Sequence, residues 1–419
     1  MTSECSESQK KSKSEFHQNL PNALKIITLS RAVRWTGWGF GEPLLPIFIL
    51  SFTSSYTEVG FIRSLYELVL LLSLPAIGFI ADKVAPRKVI LISLILYPLI
   101  GISYCVAGIF GYYVFVILAR VINGFVWGLE NTAINTYVLQ ITSKRKVASA
   151  FGFLETYSNL GWGFAAIFSI YLVKIMPIHY LLFLVAPFSL LAFLLMKKVP
   201  KTTPQKRFGN GFTINDFIET YVHFAKAIRN WGSRHWSLYC GIILTSCIEV
   251  LIVLFIPLQA YYNNVSLEYI IIIAIVGSLP QLFSLQVGRY VDHLNEIKVV
   301  FIWLLGIISS LAFITYFNSN FAIVAACFIL GLSNVIFGML QKNIISKLAN
   351  RMNYGRTSSA FEFMATISDV IIPIIFGFII GEFGLFILMY IVIGYSLVVL
   401  YIFSMSYLGN KSTEVEIAR

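Results

Sequence analysis

The chain has 419 residues, of which 58% are apolar, 15% aromatic and only 12% charged. A soluble domain carries about 25% charged residues, so a water-facing surface over this length is excluded and most of it must face lipid. The net charge of +11 would suit a nucleic-acid binder, but the placement of the charges assigns it to membrane topology, and no nucleic-acid partner is expected.

Residues 1–22 are polar, carry Lys10, Lys11 and Lys13, and lack an apolar stretch ending in a cleavage site, so they read as a disordered tail. Twelve apolar runs follow, each about 20 residues long, the length of a spanning helix. The first six are predicted at Arg31–Phe52, Val59–Ala81, Lys88–Phe110, Tyr113–Gln140, Val147–Lys174 and His179–Met196. The second six are predicted at Trp236–Gln259, Leu267–Val287, Val299–Phe317, Phe321–Lys342, Thr357–Gly381 and Leu385–Tyr407. The organisation expected is a tail (1–22), a six-helix bundle (23–198), a linker (199–235), a second bundle (236–408) and a short tail (409–419). In the linker, Thr213 and Asp216 resemble a capping box, and Phe217, Tyr221, Phe224, Ile228 and Trp231 recur at helical spacing. An amphipathic helix lying on the inner membrane surface is expected there, with a tethering role.

Charge placement tests the count. The N-terminal segment, the even-numbered connections and the C-terminal tail hold 28 of the 31 Lys and Arg residues, while the odd connections hold only Lys174. This asymmetry places both termini in the cytoplasm and accounts for the basic balance.

Helix one puts Trp35, Trp38 and Glu42 on one face and then Pro43 and Pro46, which loosen the helix at mid-depth and free carbonyls for a ligand. In helix two, Arg63 lies near the outer end and is expected to snorkel, with Glu67 deeper. Helix four carries Arg120, Asn123, Trp127, Asn131 and Asn135 at spacings of three and four, bordered by Glu130, while Gly124 and Gly128 form a separate close-packing surface. A charge at the bilayer centre costs roughly 2.5–3.5 kcal/mol on insertion scales. The stripe therefore reads as the wall of a water-filled cavity rather than as interhelical hydrogen bonding alone. Glu42 is the expected partner of Arg120, and a solute displacing Arg120 would shift the proton equilibrium on Glu42. Glu130 and Glu155, in the inner halves of adjacent helices four and five, are expected to stand as two nearby carboxylates that cannot both ionise easily, so that one holds a proton near neutral pH. Glu249 on helix seven and Asp369 on helix eleven are the mid-depth carboxylates of the second half.

The chain also repeats itself. Ser149 to Asn159 reads SAFGFLETYSN and Ser359 to Asp369 reads SAFEFMATISD, an offset of 210 residues. The same offset carries Gly78 onto Gly288, Asp82 onto Asp292, Gly128 onto Gly338 and Glu58 onto Glu268. Two similar bundles fused head to tail can enclose a site and rock about it.

After helix two comes GFIADKVAPRK, from Gly78 to Lys88. Gly78 and Asp82 stand one turn apart, and Asp82 lies near a helix C-terminus, where a carboxylate needs positive partners. This segment resembles the signature loop of the major facilitator superfamily at Gly78, Asp82, Lys83, Arg87 and Lys88, and departs from it at Ala85 and Pro86. The second copy keeps Gly288, Arg289 and Asp292. Arg120, Asn123, Gly124 and Gly128 are similar to the family's helix-four pattern. The resemblance implies an all-α membrane protein with twelve transmembrane helices in two pseudo-symmetric six-helix bundles. It also implies a conformational latch, in which Asp82 caps helix eleven at Thr357–Ser359 when the cytoplasmic side is closed. The drug antiporters of the family often carry a Gly- and Pro-rich motif in helix five; here Gly152 to Gly163 reads GFLETYSNLGWG, with the glycines but without the proline.

The function expected is secondary active transport of a small organic solute across the cytoplasmic membrane by alternating access, coupled to protons, with a lean towards export of drug-like or amphiphilic compounds. Trp38 and Trp127 suit an amphiphilic or cationic solute, whereas Arg120 favours an anion. Uptake of a metabolite such as an organic acid or sugar stays open, as does a transporter-like sensor. The five histidines and five cysteines are scattered and no phosphate-binding loop is present, so no enzyme, metal or cofactor is expected. The partners expected are the solute, lipid and protons, with the chain acting as a monomer.

Overall fold

Helix boundaries follow local signals. Ser55 and Ser266 open equivalent helices, their hydroxyls accepting from the backbone N–H of Glu58 at 3.1 Å and of Tyr269 at 3.4 Å. Gly111 and Gly384 end helices at φ 72° and 83°, the left-handed region that glycine enters without a Cβ penalty.

The computed structural model describes residues 22–53, 55–142, 147–200, 236–317, 319–348 and 354–417. The first half holds α1 (Asn22–Gly39, resumed by a 3-10 turn Glu42–Leu44 and a short helix Leu45–Leu50), α2 (Tyr56–Lys83), α3 (Pro86–Phe110), α4 (Tyr113–Ile141), α5 (Val147–Leu172) and α6 (Ile178–Phe183 with Val185–Met196). The second half holds α7 (Trp236–Val250, a π turn Leu251–Phe255, then Ile256–Tyr262), α8 (Leu267–Ser278, a 3-10 turn Leu279–Phe283, then Ser284–His293), α9 (Glu296–Phe317), α10 (Asn320–Leu348), α11 (Tyr354–Phe383) and α12 (Leu385–Ile417). These are the twelve predicted spans, and the fold is that of a multi-pass membrane protein. Two ends differ from expectation: α1 begins at Asn22, not Arg31, and α12 runs on to Ile417 through residues expected as a tail.

Among the described residues, eight helices are long and apolar enough to cross a membrane on their own. The other four are α1, α2, α5 and α8, which carry interruptions or polar residues. α1 unwinds beside Pro43 and α7 takes its π turn beside Pro257, at matching places in the repeat. The carbonyl of Phe40 released at the first break accepts from the Ser169 hydroxyl at 2.6 Å, so α5 satisfies it and it is not left for a ligand. Large apolar side chains such as Phe164, Tyr171, Leu305, Tyr390 and Leu397 stay exposed, as they do where lipid is the solvent.

Within the first half α1 packs on α5 and α6, α3 on α4 and α6, and α2 on α4; within the second, α9 packs on α10 and α12, α8 on α10, and α7 on α11. The halves meet through α2 with α11, α5 with the first segment of α8, and the ends of α1 and α7. Gly60 faces the backbone of Pro373, and Gly377 faces that of Tyr56, so any side chain at either place would strike main chain. The Tyr56 ring lies tilted 5.5 Å from that of Tyr262 and 6.5 Å from that of Phe255, and Lys174 Nζ reaches Glu268 Oε1 at 3.7 Å. These contacts close one end of the molecule. The opposite end carries Arg87, Lys88, Lys197 and Lys198.

Candidate functional site

The spans of the first half hold a buried ionic network. Arg34 of α1 donates from Nε to Glu130 Oε1 of α4 at 2.9 Å, and the Tyr97 hydroxyl of α3 donates to Glu130 Oε2 at 2.7 Å. Arg34 is 1% exposed and Glu130 2%. The guanidinium sits 5.2 Å from the ring of Trp35, 4.8 Å from Tyr97 and 5.4 Å from Trp127, and the two indoles meet edge to face at 5.6 Å. One turn earlier, the buried Arg31 brings Nη2 to 3.1 Å from Glu155 Oε1 of α5, a carboxylate that is itself about half exposed. On α2, Arg63 Nη1 lies 2.8 Å from Glu67 Oε1. Arg120 of α4 is buried against α2, donating to the carbonyls of Ile62 at 3.4 Å and Arg63 at 3.2 Å, with the Tyr66 ring 4.8 Å away. Gly124, one turn on, lets α4 approach the carbonyl of Tyr66, and Gly128 packs on Leu70 and Ile77, as the close-packing surface predicted.

Several expectations are corrected by this geometry. Glu42 does not pair with Arg120; its Oε2 accepts from Trp162 Nε1 of α5 at 2.7 Å, because the break after Gly39 turns Glu42 towards α5. Trp38, expected beside Glu42 in the site, lies in the apolar core, and Trp162 is the indole that holds the carboxylate. Glu130 and Glu155 do not face each other as a carboxylate pair; each has its own arginine, one turn apart on α1. Arg63 does not snorkel; Glu67, four residues on, holds it inward. Arg31 and Arg34, counted from sequence with the cytoplasmic cations, are buried within the first half. Tyr97 and Trp162 were not singled out either, as an aromatic residue in an apolar run gives no sign that its polar tip faces a carboxylate.

The expected latch divides. The side chains of Asp82, Asp292, Arg289 and Thr357–Ser359 lie outside the described residues, as do the surroundings of Gly78 and the amphipathic helix of the linker. Arg87 donates to the carbonyl of Lys197 at 2.8 Å, which ties α3 to α6 within one half; Lys88 is exposed, and Gly288 packs near Met339 of α10.

The second half contributes two carboxylates. Asp369 of α11 lies near Ser246 of α7 and within electrostatic reach of Glu249, Glu67 and Arg63. Glu249 of α7 lies within reach of Arg63, Glu67 and Glu42 across the interface, and it lines a cavity between α7, α8 and α10. Asn123 is buried and Asn131 half-buried along α4. Among the described residues within the spans and away from their ends, six carboxylates (Glu42, Glu67, Glu130, Glu155, Glu249, Asp369) accompany four guanidinium groups (Arg31, Arg34, Arg63, Arg120), and all four cations belong to the first half. Among the described residues, no His, Cys, Asp and Glu cluster is arranged to hold a metal ion.

A family model described as Major Facilitator Superfamily matches residues 27–373. Quinolone resistance protein NorA of Staphylococcus aureus is 25% identical over 126 residues, which are 30% of this chain and 32% of that protein. The chain thus matches about a third of the length of its curated relatives. Among solved structures, the nucleoside transporter NupG superposes with a TM-score of 0.73 at 16% identity, over 92% of this chain and 99% of that one. A POT family transporter in complex with a thioalcohol-conjugated peptide superposes with a TM-score of 0.72 at 14% identity, over 92% and 97%. The human organic anion transporter MFSD10 gives 0.66 at 14%, over 91% and 99%. At these identities the solved structures speak for the fold alone.

Proposed function

This chain belongs to the major facilitator superfamily, and from that premise we propose that it is a proton-coupled secondary transporter that exports a small, amphiphilic organic solute across the cytoplasmic membrane. A transporter of this fold exposes a central site to one side at a time. The observation that carries proton coupling is the pair Glu249 and Asp369. They stand within electrostatic reach of Glu67 where the halves meet, and among the described residues the nearby cation is Arg63, itself paired with Glu67. Uncompensated carboxylates in a medium of low dielectric are unfavourable, and a proton or a cationic solute relieves them. Exchange of one for the other is a route to antiport.

The surplus of carboxylates supports a cationic or neutral solute over an anion, since Arg120 is occupied by backbone carbonyls. The local likeness to a quinolone resistance protein supports export over uptake. Even without Arg31 and Arg34, 26 of the 31 basic residues fall in the termini and even-numbered connections, which supports cytoplasmic termini. The unit is a monomer of two six-helix halves, residues 23–198 and 236–408.

The test is flux into liposomes of purified protein under an imposed pH gradient, screened across organic cations, organic acids and sugars. Wild type is expected to accumulate a cation against its gradient, and Glu249→Gln and Asp369→Asn are expected to lose gradient-driven accumulation while retaining counterflow. Accumulation indifferent to the pH gradient, or unaltered in both variants, would refute proton coupling.

A further inference from the structure

Between α7, α8 and α10 lies a cavity of about 250 Å³, with Thr245, Glu249, Gln281 and Asn334 on its polar side and Ile252 and Val253 on its apolar side. The repeat accounts for its presence. Thr245 and Gly277, both at its edge, stand where the first half has Trp35 and Glu67. Replacing an indole and a carboxylate arm by a hydroxyl and a hydrogen leaves room that the first half fills. Asn334 stands where the first half has Gly124, so an amide enters the space that the other half uses for helix contact.

The polar lining offers acceptors at Glu249, Asn334 and Thr245, together with the amide N–H groups of Asn334 and Gln281 and the Ser278 hydroxyl. Asn334 Oδ1 is buried without a hydrogen-bond partner among the described residues. Thr245 donates its hydroxyl to the Gly241 carbonyl at 3.0 Å, which leaves its oxygen free to accept. Glu249 is the charged group on the wall, and the lining includes no basic side chain and no aromatic ring. A quaternary ammonium has no N–H to give and is recognised through aromatic faces. The aromatic cage of this protein, Trp35, Tyr97 and Trp127, already encloses the Arg34 guanidinium.

We propose that this cavity receives the head group of a protonated primary or secondary amine and discriminates against quaternary ammonium. The proposal rests on the transporter reading above and names its solute class. The ammonium N–H groups meet Glu249, Asn334 Oδ1 and the Thr245 oxygen, and the apolar remainder lies along Ile252 and Val253. The volume is below the roughly 300–1,000 Å³ of pockets that enclose drug-sized ligands, so the site holds a head group and leaves the tail in the space between the halves. A site built on hydrogen bonds to N–H rejects an analogue lacking them, because its acceptors are then left unpaired.

The test is calorimetric binding of hexylammonium and hexyltrimethylammonium to the full chain in nanodiscs at neutral pH, with empty nanodiscs subtracted. Hexylammonium is expected to bind at least about tenfold more tightly. Asn334→Leu is expected to reduce that ratio several-fold with the melting temperature retained, and Asn334→Asp, which keeps an acceptor, to preserve it. Should Asn334→Leu fail to fold, Thr245→Val makes the same test. Equal affinity for the two probes, or a ratio indifferent to the loss of the acceptor, overturns the proposal. No proton gradient enters this measurement, so its failure is separable from failure of the flux experiment.

Discussion

Arg34 and Leu244 stand 210 residues apart at matching places in the two halves, and both are buried. Around Arg34 are Glu130, Tyr97 and Trp127; at the same offset around Leu244 the chain has Leu340, Ile307 and Phe337, all buried and apolar. Arg63 and Glu67 likewise correspond to Ile273 and Gly277. The second half forms the same arrangement of six helices without any of these charges, so the fold does not require them. In the first half the ionic groups bind helices to one another in a set rotation: α1 to α4 through Arg34, α1 to α5 through Arg31, α4 to α2 through Arg120. In the second half, among the described residues, the two carboxylates have no arginine of their own, and they remain at the interface. Charges that are paired serve position, and charges that are unpaired are left for a proton or a solute.

The hardest way to break this comparison is to strand a cation. Glu130→Ala leaves Arg34 buried without its carboxylate, and breaking a buried pair from one side costs about 3–5 kcal/mol. The loss should appear in mixed-micelle unfolding. Copying the other half, with Arg34→Leu, Tyr97→Phe and Glu130→Leu together, should recover most of it, since a well-packed apolar replacement avoids the desolvation of both ions. Glu249→Gln has the opposite signature: stability held or raised in the same assay, with gradient-driven transport gone. If Glu249→Gln destabilised as much as Glu130→Ala, the division into positioning and working carboxylates would fail.

A smaller effect sharpens the role of the break in α1. Trp162→Phe removes the indole N–H that holds the half-buried Glu42, and a carboxylate deprived of its donor away from water costs about 1–3 kcal/mol. Its counterpart in the repeat is the buried Ile372, and that of Glu42 is Ile252, so Ile372→Leu, which removes no donor from a carboxylate, should cost under about 1.5 kcal/mol. The smallest effect is expected at the closed end. Lys174 and Glu268 are exposed enough to be screened, so Lys174→Ala should change melting little, and any shift in the balance of states, read by cysteine accessibility, should vanish at high salt.

The number of spans, their division into two related halves and the presence of charges at mid-depth follow from the amino-acid sequence alone. The physical reason is that insertion into a bilayer is local: each run of about 20 apolar residues is committed by its own composition, and Gly124 and Gly128 announce a close helix contact by spacing. Partnership is not local. Glu42 and Arg120 looked like natural partners because both are charged and at similar depth, yet which face a helix turns to which neighbour depends on the interruption after Gly39, on the backbone contact at Gly124 and on α5 presenting Trp162. Arg31 and Arg34 read as the basic edge of a span because hydropathy starts the helix late, and only packing against Glu155 and Glu130 draws them inside. The sequence counted the charges; helix rotation, set by contacts between residues 96 to 124 positions apart, decided which of them are neutralised and which two remain at the interface.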